Sequence, residues 1–363
     1  MDVSFLHKVK VADIIVETAS AKTFVLQPLN GWQPQYQSGQ FLTLLFYNTG
    51  IEKRRSFSLT SDPAEDNLCI TIKRVANGEY SRYMLDHVLV GDEFYTMGVT
   101  GFFTLPETKN ENIKQLFFLA AGSGITPVYS LIKTSLQKWK DVSIILIYSN
   151  RNERDVIFFE ALHSLQVQYR NSLKIEWLFS NNNYIHKARL SNYLLNILLQ
   201  KYNADANNAL FYMCGPFDYM LMIQITLLSY GVSIKNIYKE QFSTLPRIVK
   251  PVPPDTNKHN TTIQIGNAKY ELTVQYPSTI LAAAKAKNIL LPYSCEAGRC
   301  GSCAAKCVKG NVWMAYNEVL TDDEIAKGRV LVCQAYPIGG DVVIEYEQTT
   351  NPRLLQQALL LIR

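Results

Sequence analysis

Long blocks of one charge are missing from this sequence, and so is any long apolar run. Charged residues make up 18% of the 363 positions, no run of Lys or Arg stands out, and the net charge is only +5. A nucleic-acid binder would more often carry a concentrated basic stripe, so DNA or RNA is not an expected partner. The opening residues MDVSFLHKVKVAD lack the apolar stretch and small-residue cleavage site of a secretory signal. The uncharged stretch from Leu116 to Ile132 is broken by Gly122, Gly124 and Pro127, and it falls short of the ~20 residues that a bilayer span needs. No membrane span is expected, and a cytoplasmic location follows. Apolar residues nevertheless reach 47%, enough for real cores and too many for a disordered chain. The length suits two or three domains.

The texture of the chain changes twice. Up to Pro106, short β-rich runs such as Thr23–Leu29, Phe41–Tyr47 and Leu68–Val75 are separated by turns, with one helical stretch at Ser81–Val88. That spacing predicts a small antiparallel barrel over residues 1–106. Over residues 107–243, apolar strand-like runs alternate with helical patterns at Pro127–Trp139, Val156–Leu165, Leu190–Gln200 and Phe217–Tyr230. Strands alternating with helices predict a parallel sheet with crossover helices, a doubly wound α/β domain. Residues 244–260 carry four prolines and little apolar periodicity, which reads as a semi-extended linker. A hairpin around Asn267 and a helix near Thr279–Lys287 open the last domain, residues 261–350. The tail 351–363, NPRLLQQALLLIR, reads as a short helix that packs on the body or on a neighbouring chain.

Five of the seven cysteines crowd the last domain. Without a secretory signal, such crowding points to metal binding before disulfides. Cys295, Cys300 and Cys303 follow a C-x4-C-x2-C spacing, and Cys333 follows after 29 intervening residues. Four thiolates suit a two-iron, two-sulfide cluster held in tetrahedral sulfur geometry. A zinc site or a set of buried thiols are the alternatives, but zinc ribbons usually pair two short knuckles and Cys333 has no near sequence partner. Gly298 and Gly301 let the loop fold tightly and turn amides toward the sulfurs. Residues 261–350 resemble a plant-type [2Fe–2S] ferredoxin, an α+β (β-grasp) fold. Cys307 lies outside the pattern and reads as a small buried residue.

Two further groups of residues point to ligands. Arg55-Ser56-Phe57-Ser58 ends a barrel run; Arg55 would pair with a flavin phosphate and Ser58 with the reactive edge of the ring. Gly78 and Ser81 open the first domain's helix, where a glycine and a hydroxyl suit a pyrophosphate; an ordinary helix cap would look the same. Gly122, Gly124, Thr126 and Pro127 lie between a strand and a helix, as a dinucleotide loop does, with Pro127 where a Rossmann fingerprint has its third glycine. Cys214-Gly215-Pro216 follows a later strand.

Together these residues resemble the ferredoxin–NADP reductase superfamily. The resemblance covers nearly the whole chain in the order flavin barrel, nicotinamide domain, ferredoxin, as in the reductase components of bacterial multicomponent oxygenases. It implies FAD rather than FMN, through the Gly78/Ser81 match. It also implies that Cys214 lies beside the nicotinamide, and that Glu240 and Phe242 of Glu240-Gln241-Phe242 lie near the flavin. Phe57 stands where the family motif has tyrosine; it keeps the ring and loses the hydroxyl, a departure that bears on one flavin hydrogen bond and not on the site. Ser58, Cys214 and Glu240 are the expected catalytic residues.

The second strand of the α/β domain ends at Arg151 with no acid at its tip. An arginine there suits the 2′-phosphate of NADPH, with NADH as the alternative. The expected reaction carries electrons from NAD(P)H through FAD and the cluster to an external protein acceptor, expected to be an oxygenase component. A desaturase, a hybrid-cluster protein or another soluble acceptor are rival endpoints, and a redox-sensing binding module is the rival from another class.

Overall fold

In the computed structural model, residues 6–48, 51–184, 188–242 and 251–346 are described. The first sheet contains β1 (His7–Thr18), β2 (Ala21–Pro28), β3 (Phe41–Asn48), β4 (Ile51–Ser58), β5 (Leu68–Lys73) and β6 (Glu93–Thr100). Its order is β4-β3-β6-β1-β2-β5, antiparallel throughout. A bridge between Leu59 and Ile70 draws the two edges together into a barrel. Period-2 spacing puts Val9 and Val11, Phe24 and Leu26, and Leu42 and Leu44 into one apolar core. Helix α1 (Glu79–His87) covers one end of it through Met84 and Leu85.

A pH dependence follows from β1. His7 is 4% exposed and stacks on Trp32 with ring centroids 4.4 Å apart. Burial pushes its pKa down from 6.5 to about 4. The unfolded chain therefore takes up a proton first as the medium is acidified, and stability falls as pH drops from about 6.5 toward 4. By pH 5 this should cost the barrel about 1–2 kcal/mol after allowance for solvent screening. His7→Phe keeps the stack and should flatten that acid limb. Urea midpoints of both chains at pH 7 and pH 5 check it.

The second sheet is parallel, with the order β11-β10-β7-β8-β9. Its elements run β7 (Gln115–Ala121), α2 (Ile125–Lys138), β8 (Ser143–Asn150), α3 (Phe159–Gln168), β9 (Leu173–Phe179), α4 (Asn192–Lys201), β10 (Ala209–Cys214), α5 (Phe217–Ser229) and β11 (Ile237–Glu240). The central strands are buried on two faces, which is why Leu116–Ala120 and Ile144–Tyr148 read as unbroken apolar runs. Helix α3 starts later than periodicity alone suggests, because Phe158 takes a left-handed φ of 62° just before it. The Ser191 hydroxyl caps α4 by accepting from the Leu194 amide. The barrel rests on α2: Ser130 donates to the Ser61 carbonyl at 2.7 Å, and Thr134 meets Ser38 and Asp62.

The third sheet is mixed, with the order β13-β12-β16-β14-β15. It is built from β12 (His259–Ile265), β13 (Ala268–Val274), β14 (Ala304–Met314), β15 (Arg329–Leu331) and β16 (Ala335–Tyr346), with helices α6 (Ile280–Ala286) and α7 (Asp322–Ala326). Strands β12 and β16 are parallel and the other pairs antiparallel. Ile280, Leu281 and Ala284 of α6 share a core with Ile263, Leu272 and Ile344.

The second half of the proline-rich stretch is fastened to this unit: Asp255 accepts from the Gly339 and Asn257 amides and pairs with His259. Residues 243–250 and the tail 351–363 lie outside the described residues. Among the described residues, no helix is long and apolar enough to cross a membrane.

Candidate functional site: three ligand sites around one edge

In the parallel sheet the strand order reverses between β7 and β10, and ligands bind outside the carboxyl ends at such a point. The two predicted loops leave from those ends. They line one cleft of about 870 Å³ together with Arg151, Phe242 and Pro216. The loops touch: a Cβ on Gly124 would lie 2.0 Å from the Cys214 carbonyl oxygen. Thr126 donates to the Ser123 carbonyl at 3.0 Å and Pro127 is buried in the first turn of α2, so these two shape the loop from behind.

Lys73 and Arg189 join Arg151 on the cleft wall, where Asp218 is the one acid among the described residues. That excess of cations suits a dinucleotide's phosphates. Glu153 and Asp155, the acids after β8, do not line the cleft, and Asp155 is engaged with Asn152. Neither Lys73 nor Arg189 was legible in the sequence. Lys73 comes from the barrel, and no motif surrounds Arg189.

The residues expected at the flavin divide by strand parity. Arg55 turns toward α1, and its guanidinium lies over the Tyr80 ring at 4.5 Å, beside Gly78 and Ser81. A Cβ on Gly78 would sit 2.6 Å from the Ser81 hydroxyl, so the turn before α1 closes tightly only with glycine there. Ser81 accepts from the Val75 amide and donates to the Gly78 carbonyl, which organises that turn. Tyr80 lies inside the Gly78–Ser81 motif, and its stacking role was not anticipated. Phe57 packs against the barrel core.

Ser58 is 4% exposed, and among the described residues its hydroxyl has no hydrogen-bond partner. A buried orphan hydroxyl at the barrel's end fits a ligand's polar edge. Ser56 differs from expectation: its hydroxyl donates to Ser294 at 2.8 Å and meets Thr43 at 2.9 Å, so it faces the third domain.

The four cysteines fall into two pairs. The Cys295 amide reaches the Cys300 sulfur at 3.5 Å, and the two thiols interact. The Cys303 and Cys333 thiols likewise lie within hydrogen-bonding reach of each other. Among the described residues, no three Cys, His, Asp or Glu side chains converge on one point as a single ion requires. Two thiol pairs supply the four thiolates that a two-iron, two-sulfide cluster would need. Cys307 stands apart on β14, near the Lys309 and Gly310 carbonyls.

These sites meet at one edge. Register places Cys214 between Ala120 and Glu240. Cys214 is buried, and burial raises its thiol well above the ordinary range, so it stays neutral. Glu240 is 8% exposed, and its pKa is raised to about 8, first by burial and then by the nearby Cys295. The carboxyl edge of the α/β sheet thus lies within electrostatic reach of the cysteine loop. That loop in turn touches β4 of the barrel through Ser56 and Ser294.

Two domain families match the chain: the 2Fe-2S iron-sulfur cluster binding domain over residues 263–337 and the oxidoreductase NAD-binding domain over residues 118–225. One of the subunits of 1,2-phenylacetyl-CoA epoxidase from Escherichia coli is 31% identical over 94% of this chain and 98% of its own length. The ferredoxin reductase component of 3-ketosteroid-9-alpha-monooxygenase from Mycobacterium tuberculosis is 30% identical over 94% of this chain and 96% of its own. Among solved structures, phthalate dioxygenase reductase shares the fold with a TM-score of 0.57 at 24% identity, covering 93% of this chain and 97% of that one.

Proposed function

The chain belongs to the ferredoxin–NADP reductase superfamily, in the branch that carries a C-terminal [2Fe–2S] domain, and from that premise we propose that it is a cytoplasmic NADPH-dependent reductase that serves an external oxygenase. The observation that carries this reading is the convergence of the Cys214/Glu240 edge, strand β4 and the Cys295 loop. When bound, a nicotinamide supplies hydride, a flavin accepts it and releases electrons singly, and a two-iron cluster takes them one at a time.

The chain's own residues hold and orient. Gly122, Gly124, Gly215 and Pro216 shape the nucleotide cleft, with Arg151 at its far wall for a 2′-phosphate. Neutral Cys214 is buried and is not among the residues that line the cleft; it backs the cleft behind Gly215, on the side where the nicotinamide would lie. Arg55 beside α1 binds the FAD diphosphate, and the Ser58 hydroxyl orients the flavin edge. Glu240, protonated near neutral pH, holds a proton at its carboxyl close to that edge. Phe242, half exposed on the cleft wall, covers the flavin from the nucleotide side. The acceptor is proposed to be an oxygenase component of the kind its relatives' names describe.

The test is anaerobic mixing of the holoprotein with NADPH, and separately NADH, with visible spectra and low-temperature EPR. Flavin bleaching followed by a reduced [2Fe–2S] signal is expected, faster with NADPH. Arg151→Ala should lower kcat/KM for NADPH by about tenfold or more, the worth of one charge-assisted phosphate contact, and leave NADH within about twofold. Equal loss with both nucleotides would remove the 2′-phosphate assignment. Flavin that neither nucleotide bleaches would remove the reductase reading.

A further inference from the structure

Arg54 lies next to the flavin-binding Arg55, yet strand alternation turns it the opposite way. It is 4% exposed, deeply buried for an arginine, and it spans two domains. Its Nε donates to Glu52 at 2.7 Å. One terminal nitrogen donates to the Leu291 carbonyl at 2.9 Å, and the guanidinium lies over the Tyr293 ring at 3.8 Å. Leu291 and Tyr293 lead directly into Cys295. On the other side of the same loop, the Phe102 ring sits against Gly301, between Cys300 and Cys303. A Cβ on Gly301 would come within 2.6 Å of that ring, and the residue's φ of +74° already favours glycine. Leu290 packs into a small apolar cluster with Leu6, Leu45 and Met97 of the barrel. The cysteine loop is thus gripped by the barrel at both ends.

We infer that Arg54 is a positioning residue that clamps the Leu291–Cys295 loop to the flavin barrel and so fixes the separation electrons cross between the two domains. Glu52 neutralises its charge and aims the planar fork, while the Leu291 carbonyl and the Tyr293 face use the fork's edge and plane. A lysine has one compact ammonium and no plane, so it would keep the ion pair and lose the stack. Arg54 carries neither an electron nor a proton in this role. The inference rests on the proposed reductase reading, and it makes the ferredoxin a docked unit that stays on the barrel during internal transfer.

The test uses full-length holoprotein with Arg54→Met, Arg54→Lys and Tyr293→Leu; the last leaves the buried Arg54–Glu52 pair intact should Arg54→Met fail to fold. Hydrogen–deuterium exchange of residues 289–303 should quicken in Arg54→Met and Tyr293→Leu. In stopped-flow mixing, flavin bleaching should stay within about twofold of the parent. The appearance of the reduced-cluster EPR signal should slow by about tenfold, as the docked fraction falls with the loss of one charge-assisted hydrogen bond. Arg54→Lys should recover part of that loss. Unchanged exchange with unchanged cluster reduction would overturn the clamp, and so would equal slowing of bleaching and cluster reduction. Parent flavin that no nucleotide bleaches would instead overturn the reductase reading, a separate result.

Discussion

Gly124→Ala should raise KM for the nicotinamide nucleotide by about tenfold or more while FAD and iron contents stay at parent levels. The reason is contact, since Gly124 has a φ of −62° that any residue adopts. An added Cβ would lie 2.0 Å from the Cys214 carbonyl oxygen, 2.5 Å from its carbonyl carbon and 3.0 Å from the Gly215 amide nitrogen. All three are backbone atoms at the end of a buried central strand, so no flexible side chain can yield. The turn into α2 must lift away from β10, which widens the gap between the two loops that wall the cleft. Overpacking of this kind costs about 1–3 kcal/mol of stability, and the larger effect falls on binding. Nucleotide titration and thermal unfolding separate the two. A parent-like KM would mean that the loops do not need their close approach to hold the ligand.

That contact was half legible in the sequence. The glycine-rich loop and Cys214-Gly215-Pro216 each announced themselves by following an apolar run, but nothing in the chain said they would touch. Periodicity served well where one face decides burial: the helices near 127–139 and 217–230 and the buried runs at 116–120 and 144–148 fold as the pattern suggests. It served poorly for β14 and β16, long strands with charged positions such as Lys306, Lys309, Asp341 and Glu345, whose alternation is broken by register shifts.

Residues acting across domains were illegible in principle. Arg54 meets Leu291 across 237 positions, and Ser56 read as part of a flavin motif while its hydroxyl bonds to Ser294. Local sequence carries the ligand chemistry of a segment. The partner that a side chain spends its hydrogen bonds on is set by how the domains dock.

Cys333→Ser should leave the chain folded and flavin-loaded but without its cluster, reducing one-electron protein acceptors only at background rate. Cys333 is the distant member of the ligand set, and its thiol lies against Cys303 while Cys295 and Cys300 form the other pair. Removing it leaves one iron position with a single thiolate, and a serine oxygen is a harder, poorer ligand for iron. The site is 4% exposed, so the hydroxyl costs about 1–3 kcal/mol if it finds no partner. Those costs fall on the third domain, and ferricyanide, which takes electrons directly from flavin, should still be reduced at the parent rate. Iron and sulfide analysis, the visible spectrum and EPR measure the loss. Cys307→Ser is the matched control: its sulfur sits by the Lys309 and Gly310 carbonyls, away from either pair, and iron content should not change. Iron lost from the Cys307 variant and kept by the Cys333 variant would shift the ligand set onto β14 and undo the two-pair assignment.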